Sequence, residues 1–405
     1  MRLTILRGAA VLTLGLIAAT GCANGGGSAG PGRPILVGVS LSLDGDFSGD
    51  GKALQQGYQL WADDVNARGG LLGSKIRFKF VNDASSTQQV VTNYQNLITR
   101  DRVDLTFGPF SSLLTIPASE IAARYGYAFP EPAGGGPHVF DRGLKNVFFV
   151  QPAPVVNNLV SYTKWLLALP ADQRPKTAAY ATQDDPFTQP QVDRAKALLA
   201  AAGVQTVYSQ VYPAETTDFT PLALSVAHSR ADVVVLGCQL QDAIAFVQTF
   251  QQQRYSPRSL IETTGPDQGS QFSDKIGLAN TEGIMVPAGW WPSVKTSAND
   301  QFVRAFLARY GGDAASISAD AAEAFSVGQV VEQAVGKTQS LDNAKLIQAL
   351  HSQTFQTIQG PMAFDSTGQP NGASFLVQWQ HGQTVPVYPP GVAVVKAEYP
   401  KPNWQ

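Results

Sequence analysis

The sequence predicts an α/β fold with two Rossmann-like lobes that contain parallel sheets. Three observations lead to this fold class. Strand-like and helix-like hydrophobic patterns alternate along most of the chain, about 370 residues follow a short N-terminal leader, and apolar runs punctuated by proline interrupt the alternation. Repeated strand–helix–strand units form parallel sheets with helices on both faces, and a chain of this length usually divides into two cores.

The first strand and helix show the alternation clearly. Residues 35–43 are rich in β-branched residues and leucine, which is typical of a buried strand. From Lys52, apolar residues then recur at helical spacing until the glycine pair at 69–70, where a helix can end. Further strands are predicted at 75–81, 103–107, 177–181, 204–212, 232–237 and 260–264, and further helices at 90–98, 189–202, 223–229 and 242–252.

The end of the chain breaks this alternation. Helices are predicted at 299–310, 319–335 and 343–350. The short alternating runs at 361–364 and 375–380 predict antiparallel strands on either side of a turn.

Two segments punctuated by proline, 150–154 and 285–287, predict strands that pass between lobes. Two α/β lobes joined in this way enclose a cleft at the carboxyl ends of their strands, where open parallel sheets bind ligands.

The first residues predict export. A basic start precedes an apolar run at 9–19 that is too short to span a bilayer, which is the layout of a signal peptide. Cys22 ends this leader in a pattern that resembles a bacterial lipobox, with Ala19 in place of the usual leucine. We expect a signal peptide at 1–21, a lipid on Cys22 and a flexible Gly-rich tether at 22–34. The alternative is an ordinary cleaved signal with an incidental cysteine.

Composition limits the function classes. The chain has 29 basic and 31 acidic residues and a net charge of −2, which argues against nucleic acid as a partner. The four histidines lack the paired spacing of a zinc site, and we expect no metal and no cofactor. The loop 44–50 resembles the opening of a calcium-binding EF-hand, but Gln55 stands where that loop has its bidentate glutamate.

Motifs spread along the chain resemble one family. The segment 66–73, NARGGLLG, resembles the turn after the first helix of the branched-chain amino-acid-binding (Leu/Ile/Val-type) lipoproteins of ABC importers, which are type I periplasmic binding proteins. Further matches in order are Asp83, 108–112, 217–219, 282–284 and 360–365. The resemblance implies two lobes joined by a three-crossing hinge near 152–154, 286–287 and 359–361.

The resemblance also implies a division of the chain and a function. Lobe 1 comprises 35–152 and 286–360, lobe 2 comprises 153–285 and 361–395, and 396–405 forms a C-terminal tail. The expected function is that of an extracytoplasmic solute-binding lipoprotein without enzymatic activity. It captures a small polar molecule, such as an amino acid or a related amide or carboxylate, and delivers it to the permease subunits of an ABC importer.

We expect the body to be monomeric, and the lipid to anchor it to the outer face of the cytoplasmic membrane. Two alternatives remain at this point. One is a ligand-sensing lipoprotein of a signalling system, and the other is a transporter component that binds an aromatic acid.

Family-implied ligand contacts fall first on two loops of lobe 1. Ser112, with Ser111 beside it, occupies the place of the serine that binds the ligand carboxylate at the start of a helix. Ala133 matches a position that offers a backbone carbonyl to the ligand ammonium. Gly135 stands where the family has a threonine, which predicts that one side-chain hydrogen bond is missing.

The remaining expected contacts are Asp267, Gln239, Phe187 and Asp50. Asp267 matches a family acid that pairs with the ammonium group. Gln239 and Phe187 fall at or near positions where the family often has tyrosine, and Asp50 borders the cleft in the resemblance.

Overall fold

The computed structural model describes residues 32–405, so Cys22 and the expected signal peptide lie outside the described residues. The strands are β1 (Ile35–Leu41), β2 (Ile76–Asn82), β3 (Leu105–Thr106), β4 (Phe129–Glu131), β5 (Val147–Phe149), β6 (Thr177–Gln183), β7 (Gln205–Tyr212), β8 (Val233–Gly237), β9 (Ser259–Glu262), β10 (Met285–Ala288), β11 (Thr354–Thr357), β12 (Gly360–Ala363), β13 (Phe375–Gln380) and β14 (Gln383–Tyr388). The helices are α1 (Ser48–Ala67), α2 (Thr87–Thr99), α3 (Ser112–Arg124), α4 (Pro137–Phe140), α5 (Val160–Leu167), α6 (Thr188–Ala201), α7 (Thr220–Ser229), α8 (Leu240–Gln252), α9 (Ser270–Ile276), α10 (Asn299–Tyr310), α11 (Ala319–Thr338) and α12 (Asn343–Leu350).

Lobe 1 is built on parallel strands in the order β2-β1-β3, with β4 and β5 forming a second parallel pair. The Gly108 N–H donates to the Pro130 carbonyl at 2.9 Å and so links the chain after β3 to β4. Tyr58 and Trp61 on α1 pack with Phe107 in a buried aromatic group under this sheet. The apolar face that the sequence predicts for the first helix is therefore the face that α1 buries.

Lobe 2 is built on a seven-stranded sheet in the order β14-β13-β10-β9-β8-β6-β7. The five strands from β10 to β7 are parallel, and β13 and β14 add an antiparallel edge. Side chains of β8 alternate between two apolar clusters, since Val234 packs on one face of the sheet and Val235 on the other. Mostly parallel sheets covered by helices confirm the predicted α/β fold.

Three segments of residues 32–405 connect the lobes. The first follows Val150, and the second is β10, where Met285 packs in the core of lobe 2 and Val286 in that of lobe 1. The third differs from the expectation of a crossing at 359–361. The Gly368 carbonyl still accepts a hydrogen bond from the Phe149 N–H of β5 in lobe 1, whereas β13 pairs with β10 in lobe 2, so the chain crosses between Gly368 and Phe375.

The two short runs near the end of the chain are antiparallel strands, but they do not pair with each other. β12 pairs with β11 in a hairpin on lobe 1, whereas β13 pairs with β10 and β14 in lobe 2. The third crossing separates the two runs and gives them partners in different lobes. The C-terminal residues 396–405 pack on lobe 2, where the Trp404 indole N–H donates to the Tyr255 carbonyl.

Within residues 32–405, each helix falls short of the length or the hydropathy that a bilayer crossing requires.

Close packing between α1 and α11 depends on Gly328. A Cβ built at Gly328 would overlap the Trp61 ring, whereas a Cβ at Gly336 on the same helix would meet no atom within 4 Å. We therefore expect Gly328→Ala to lower the free energy of unfolding by about 1–3 kcal/mol through overpacking. Gly336→Ala is the matched control and should raise it by about 0.5–1 kcal/mol, because alanine favours an exposed helix. Urea denaturation measures both changes, and equal effects would contradict this packing.

Candidate functional site

A cleft lies between the two lobes, and loops that follow the carboxyl ends of strands from both sheets line it. The empty space between its walls, counted together with the open solvent at its mouth, is about 680 Å³. Lobe 1 contributes Phe110, Ser111, Pro132, Ala133, Phe149, Asp320 and Glu323; lobe 2 contributes Phe187, Gln239, Thr263, Thr264, Asp267 and Gln268; and the crossings contribute Gln151, Pro152 and Ala288. The strand ends that position these loops are those of β3, β4, β6, β8 and β9.

The two serines before α3 have different surroundings. Ser111 lines the cleft, and within the described residues its buried hydroxyl has no hydrogen-bond partner. Its φ of 68° lies in the left-handed region, which a serine adopts only when the surrounding structure imposes it. The Ser112 hydroxyl instead accepts a hydrogen bond from the Gly136 N–H at 2.8 Å. The structure therefore places Ser111 at the cleft and uses Ser112 to hold the neighbouring loop.

The loop after β4 forms the adjacent wall. Ala133 lines the cleft, and the Gly134 N–H donates to the buried carboxyl of Glu131. Burial raises the pKa of Glu131 to about 8. Gly135 is not among the lining residues, because the rings and methyl groups of Phe149 and Val155 fill the space where its Cβ would stand. A threonine therefore has no room at this position, and Phe149 supplies an aromatic wall in its place.

Side chains of lobe 2 reach across the cleft. Phe187 precedes α6 and packs against an apolar cluster of lobe 1. Gln239 precedes α8, and its backbone N–H donates to the Asp242 carboxyl at 2.7 Å, while its buried side-chain oxygen has no partner in residues 32–405. Both residues line the cleft, as does Asp267. The Gln241 amide also donates to the Asp46 carbonyl at 3.4 Å, so that the two lobes touch at the cleft edge.

Three carboxyl groups line the cleft. Asp267 follows β9 and accepts a hydrogen bond from the Gly265 N–H at 3.0 Å. Asp320 lies in the first turn of α11, and Glu323 follows one turn later. No lysine, arginine or histidine is among the described residues that line the cleft. Among the described residues, the walls of the site therefore supply no basic side chain to balance these acids when they ionise.

Asp50 completes this group of acids. It lies in the first turn of α1, is 2% exposed, and has Asp320 within hydrogen-bonding reach. It is not a lining residue of the cleft; it stands behind Asp320. Helix N-termini favour carboxylates, which eases the placement of Asp50 and Asp320 but does not neutralise them.

Burial changes the protonation of these acids. Removal from water raises the pKa of Asp267 to about 6, that of Asp50 to about 7 and that of Glu323 to about 8. Burial and the neighbouring carboxylates together raise the pKa of Asp320 well above its usual value. A bound cation would favour the charged forms, so this arrangement suits the capture of a positively charged group.

Most of the lining residues received no role from the sequence, and four of them bear on the choice of ligand. Asp320 and Glu323 belong to a helix that the sequence predicts correctly, but its first turn received no role. Phe110 and Phe149 were not identified as cleft walls. An acid two residues after the Ser318 N-cap is a local signal in the sequence, but it does not show which helix begins at the cleft.

The contrast between the two serines is testable in the ligand-free protein. Ser112→Ala leaves the buried Gly136 N–H without its acceptor and should lower the free energy of unfolding by about 1–3 kcal/mol. Ser111→Ala removes a hydroxyl that makes no hydrogen bond and should change it by about 0.5 kcal/mol or less. Urea denaturation at pH 7 distinguishes the two substitutions. A larger loss for Ser111→Ala would contradict the assignment.

Comparison with known proteins gives a consistent result. The family model described as periplasmic binding protein matches residues 34–384. Among curated proteins, Leu/Ile/Val-binding protein homolog 7 of Brucella melitensis biotype 1 is 26% identical over 387 residues, which is 93% of this chain and 96% of that protein. Homolog 8 of Brucella abortus (strain 2308) is 25% identical over 381 residues, 91% of this chain and 93% of that protein.

Solved structures share the fold. The leucine-binding protein LivK of Thermotoga maritima superposes with a TM-score of 0.74 at 15% identity, over 87% of this chain and 97% of that chain. A solute-binding protein of an ABC transporter from R. palustris, in complex with benzoate, gives a TM-score of 0.76 at 19% identity, over 92% of this chain and 98% of that chain. Fold, cleft and family match lead to one conclusion: this chain is a solute-binding protein that belongs to the periplasmic binding protein family.

Proposed function

We propose that this protein captures a small polar molecule in the interlobe cleft and delivers it to an ABC importer. The observation that carries this proposal is a cleft whose walls come from both lobes and hold buried polar atoms that have no partner within residues 32–405. Those atoms include the Ser111 hydroxyl, the Gln239 side-chain oxygen and one oxygen of Asp320. Because an unsatisfied buried polar group is costly, a ligand that satisfies these groups binds with a gain in free energy.

Each expected contact except Asp50, which does not line the cleft, has a role in this proposal. A ligand carboxyl or amide oxygen would accept from the Ser111 hydroxyl beside the N-terminus of α3. An ammonium group would lie between the Ala133 carbonyl and Asp267, with Phe187 and Gln239 as the opposite wall. Ser112 and Gly135 act by shaping the loops.

Aromatic side chains also bear on the choice of ligand. Phe110, Phe149 and Phe187 line the cleft and would suit a ring, as an aromatic acid requires. An aromatic acid would, however, bring a further negative charge to walls that already hold three acids. We therefore favour an amino acid or a related compound as the ligand class.

Closure of the lobes would couple binding to delivery. Three crossings form a hinge, and a ligand that contacts both lobes stabilises the closed arrangement more than the open one. In this proposal the permease subunits recognise the closed arrangement, and the protein has no catalytic role. We further propose that a lipid on Cys22 holds a monomeric body at the outer face of the cytoplasmic membrane through the tether at 22–34.

The proposal predicts ligand binding and uptake that both depend on Asp267. A thermal-shift screen of the purified protein against amino acids, small amides and aromatic acids should identify compounds that raise the melting temperature, since a ligand at 100 times its Kd adds about 2.7 kcal/mol to stability. Asp267→Ala should abolish that rise, and cells that carry only this variant should lose uptake of the labelled compound.

Glu120→Gln, an exposed residue of α3 outside the cleft lining, is the control and should behave as the wild type. Binding that depends on Asp267 without any effect on uptake would favour the sensing alternative. The absence of binding by every class of compound would contradict the solute-binding proposal.

A further inference from the structure

Charge balance in the cleft restricts the ligand beyond its size. Asp267, Asp320 and Glu323 line the cleft, and no basic side chain lines it in the described part of the chain. An ordinary amino acid carries one ammonium and one carboxylate group. A single ionised acid is sufficient for that ammonium, so the other two lining acids would stay protonated, as their raised pKa values allow.

The surroundings of these acids supply no counter-charge either. The charged side chains whose fields act on Asp50, Asp320 and Glu323 are themselves acids, contributed by α1, α8, α11 and the loop after β9. Behind Asp267 lies Glu262 of β9, whose two carboxyl oxygens also have no partner among the described residues. Within residues 32–405, no basic side chain lines the cleft beside this group.

An unpartnered atom points to a ligand at this place. Asp320 is 4% exposed, lines the cleft, and keeps one carboxyl oxygen without a hydrogen-bond donor in residues 32–405. The buried side-chain oxygen of Gln239, across the cleft in lobe 2, is likewise free to accept. Both atoms accept hydrogen bonds, and an ammonium or guanidinium group donates several.

We infer that the ligand carries a net positive charge, with at least one more ammonium or guanidinium group than carboxylate groups. This inference rests on the proposed solute-binding function. The cationic end lies among Asp267, Asp320 and Glu323, where it supplies the counter-charge that the walls lack. A zwitterion provides a cationic partner for one acid and leaves the other two protonated, and an anion opposes the ionisation of all three.

Aromatic walls fit the same ligand class. Phe110, Phe149 and Phe187 line the cleft beside the acids, and aromatic faces attract cations, most strongly where water is excluded. If the ligand also has a carboxylate, Ser111 at the N-terminus of α3 is the place for it. A basic amino acid and a diamine share the required chemistry and differ only at this end.

A ligand panel sorted by charge tests the inference. Calorimetric titration of the purified protein at pH 7.5 compares L-lysine and L-arginine, putrescine and agmatine, L-leucine and L-glutamine, and benzoate. We expect binding among lysine, arginine, putrescine and agmatine. Leucine, glutamine and benzoate should bind at least about tenfold more weakly. Preference for lysine and arginine, which have a carboxylate, over putrescine and agmatine, which lack one, indicates a ligand carboxylate near Ser111.

Neutral substitutions locate the cationic end. Asp320→Asn and Glu323→Gln should each weaken binding of the cation by about tenfold or more, whereas Glu332→Gln, on the same helix but paired with Arg68 at 2.8 Å, should leave it unchanged. Circular dichroism checks that each variant is folded. The ligand panel is titrated against the unmodified protein, so its result does not depend on any variant.

The outcomes separate the two proposals. Tight binding of leucine, glutamine or benzoate that survives Asp320→Asn would overturn the inference and leave the solute-binding function intact. No binding by any member of the panel, together with no hit in the broader screen, would overturn both.

Discussion

Burial of carboxyl groups without a counter-charge is the constraint on which this cleft depends. Asp320 and Glu323 of lobe 1 line the cleft with Asp267 of lobe 2, Asp50 lies behind Asp320, and burial raises the pKa of each of these acids. When the lobes approach each other, these acids must either bind protons or receive a cation. The free energy of the closed arrangement is therefore set by what occupies the space between the lobes, and this is the property that a solute-binding protein requires.

The fold brings these acids together from distant parts of the chain. α1 follows the first strand of the sheet of lobe 1, and α11 comes after the second crossing, yet both begin at the cleft. Close packing of the two helices, through Trp61 against the surface at Gly328, fixes their first turns side by side. Asp267 belongs to the other lobe and joins the group only across the cleft. The acidic group is thus a product of the two-lobed topology.

Local patterns in the sequence predicted most of the helices and strands, because periodicity and end signals are local properties. The predictions at 299–310, 343–350 and 375–380, for example, match α10, α12 and β13. The third crossing was predicted too early in the chain. Its position depends on the pairing of β12 with β11 on lobe 1, which local patterns do not show. Ser111 and Ser112 are adjacent and chemically identical, and only the backbone turn before α3 decides which hydroxyl faces the cleft. The role of Asp320 depends on the position of the first turn of α11 relative to the cleft, which the sequence alone does not give.

Proton release on ligand binding tests this account most directly. The pKa values of Asp267, Asp50 and Glu323 in the free protein are about 6, 7 and 8, so these acids are partly protonated near neutral pH, and a cation that lowers those values must displace protons. Calorimetric titration in buffers of different ionisation enthalpy measures the number of protons released on binding. The ligand is L-arginine or agmatine, whichever binds. The account predicts net proton release at pH 7 and an affinity that rises from pH 6 to pH 8. Binding without proton exchange and with an affinity independent of pH would contradict it.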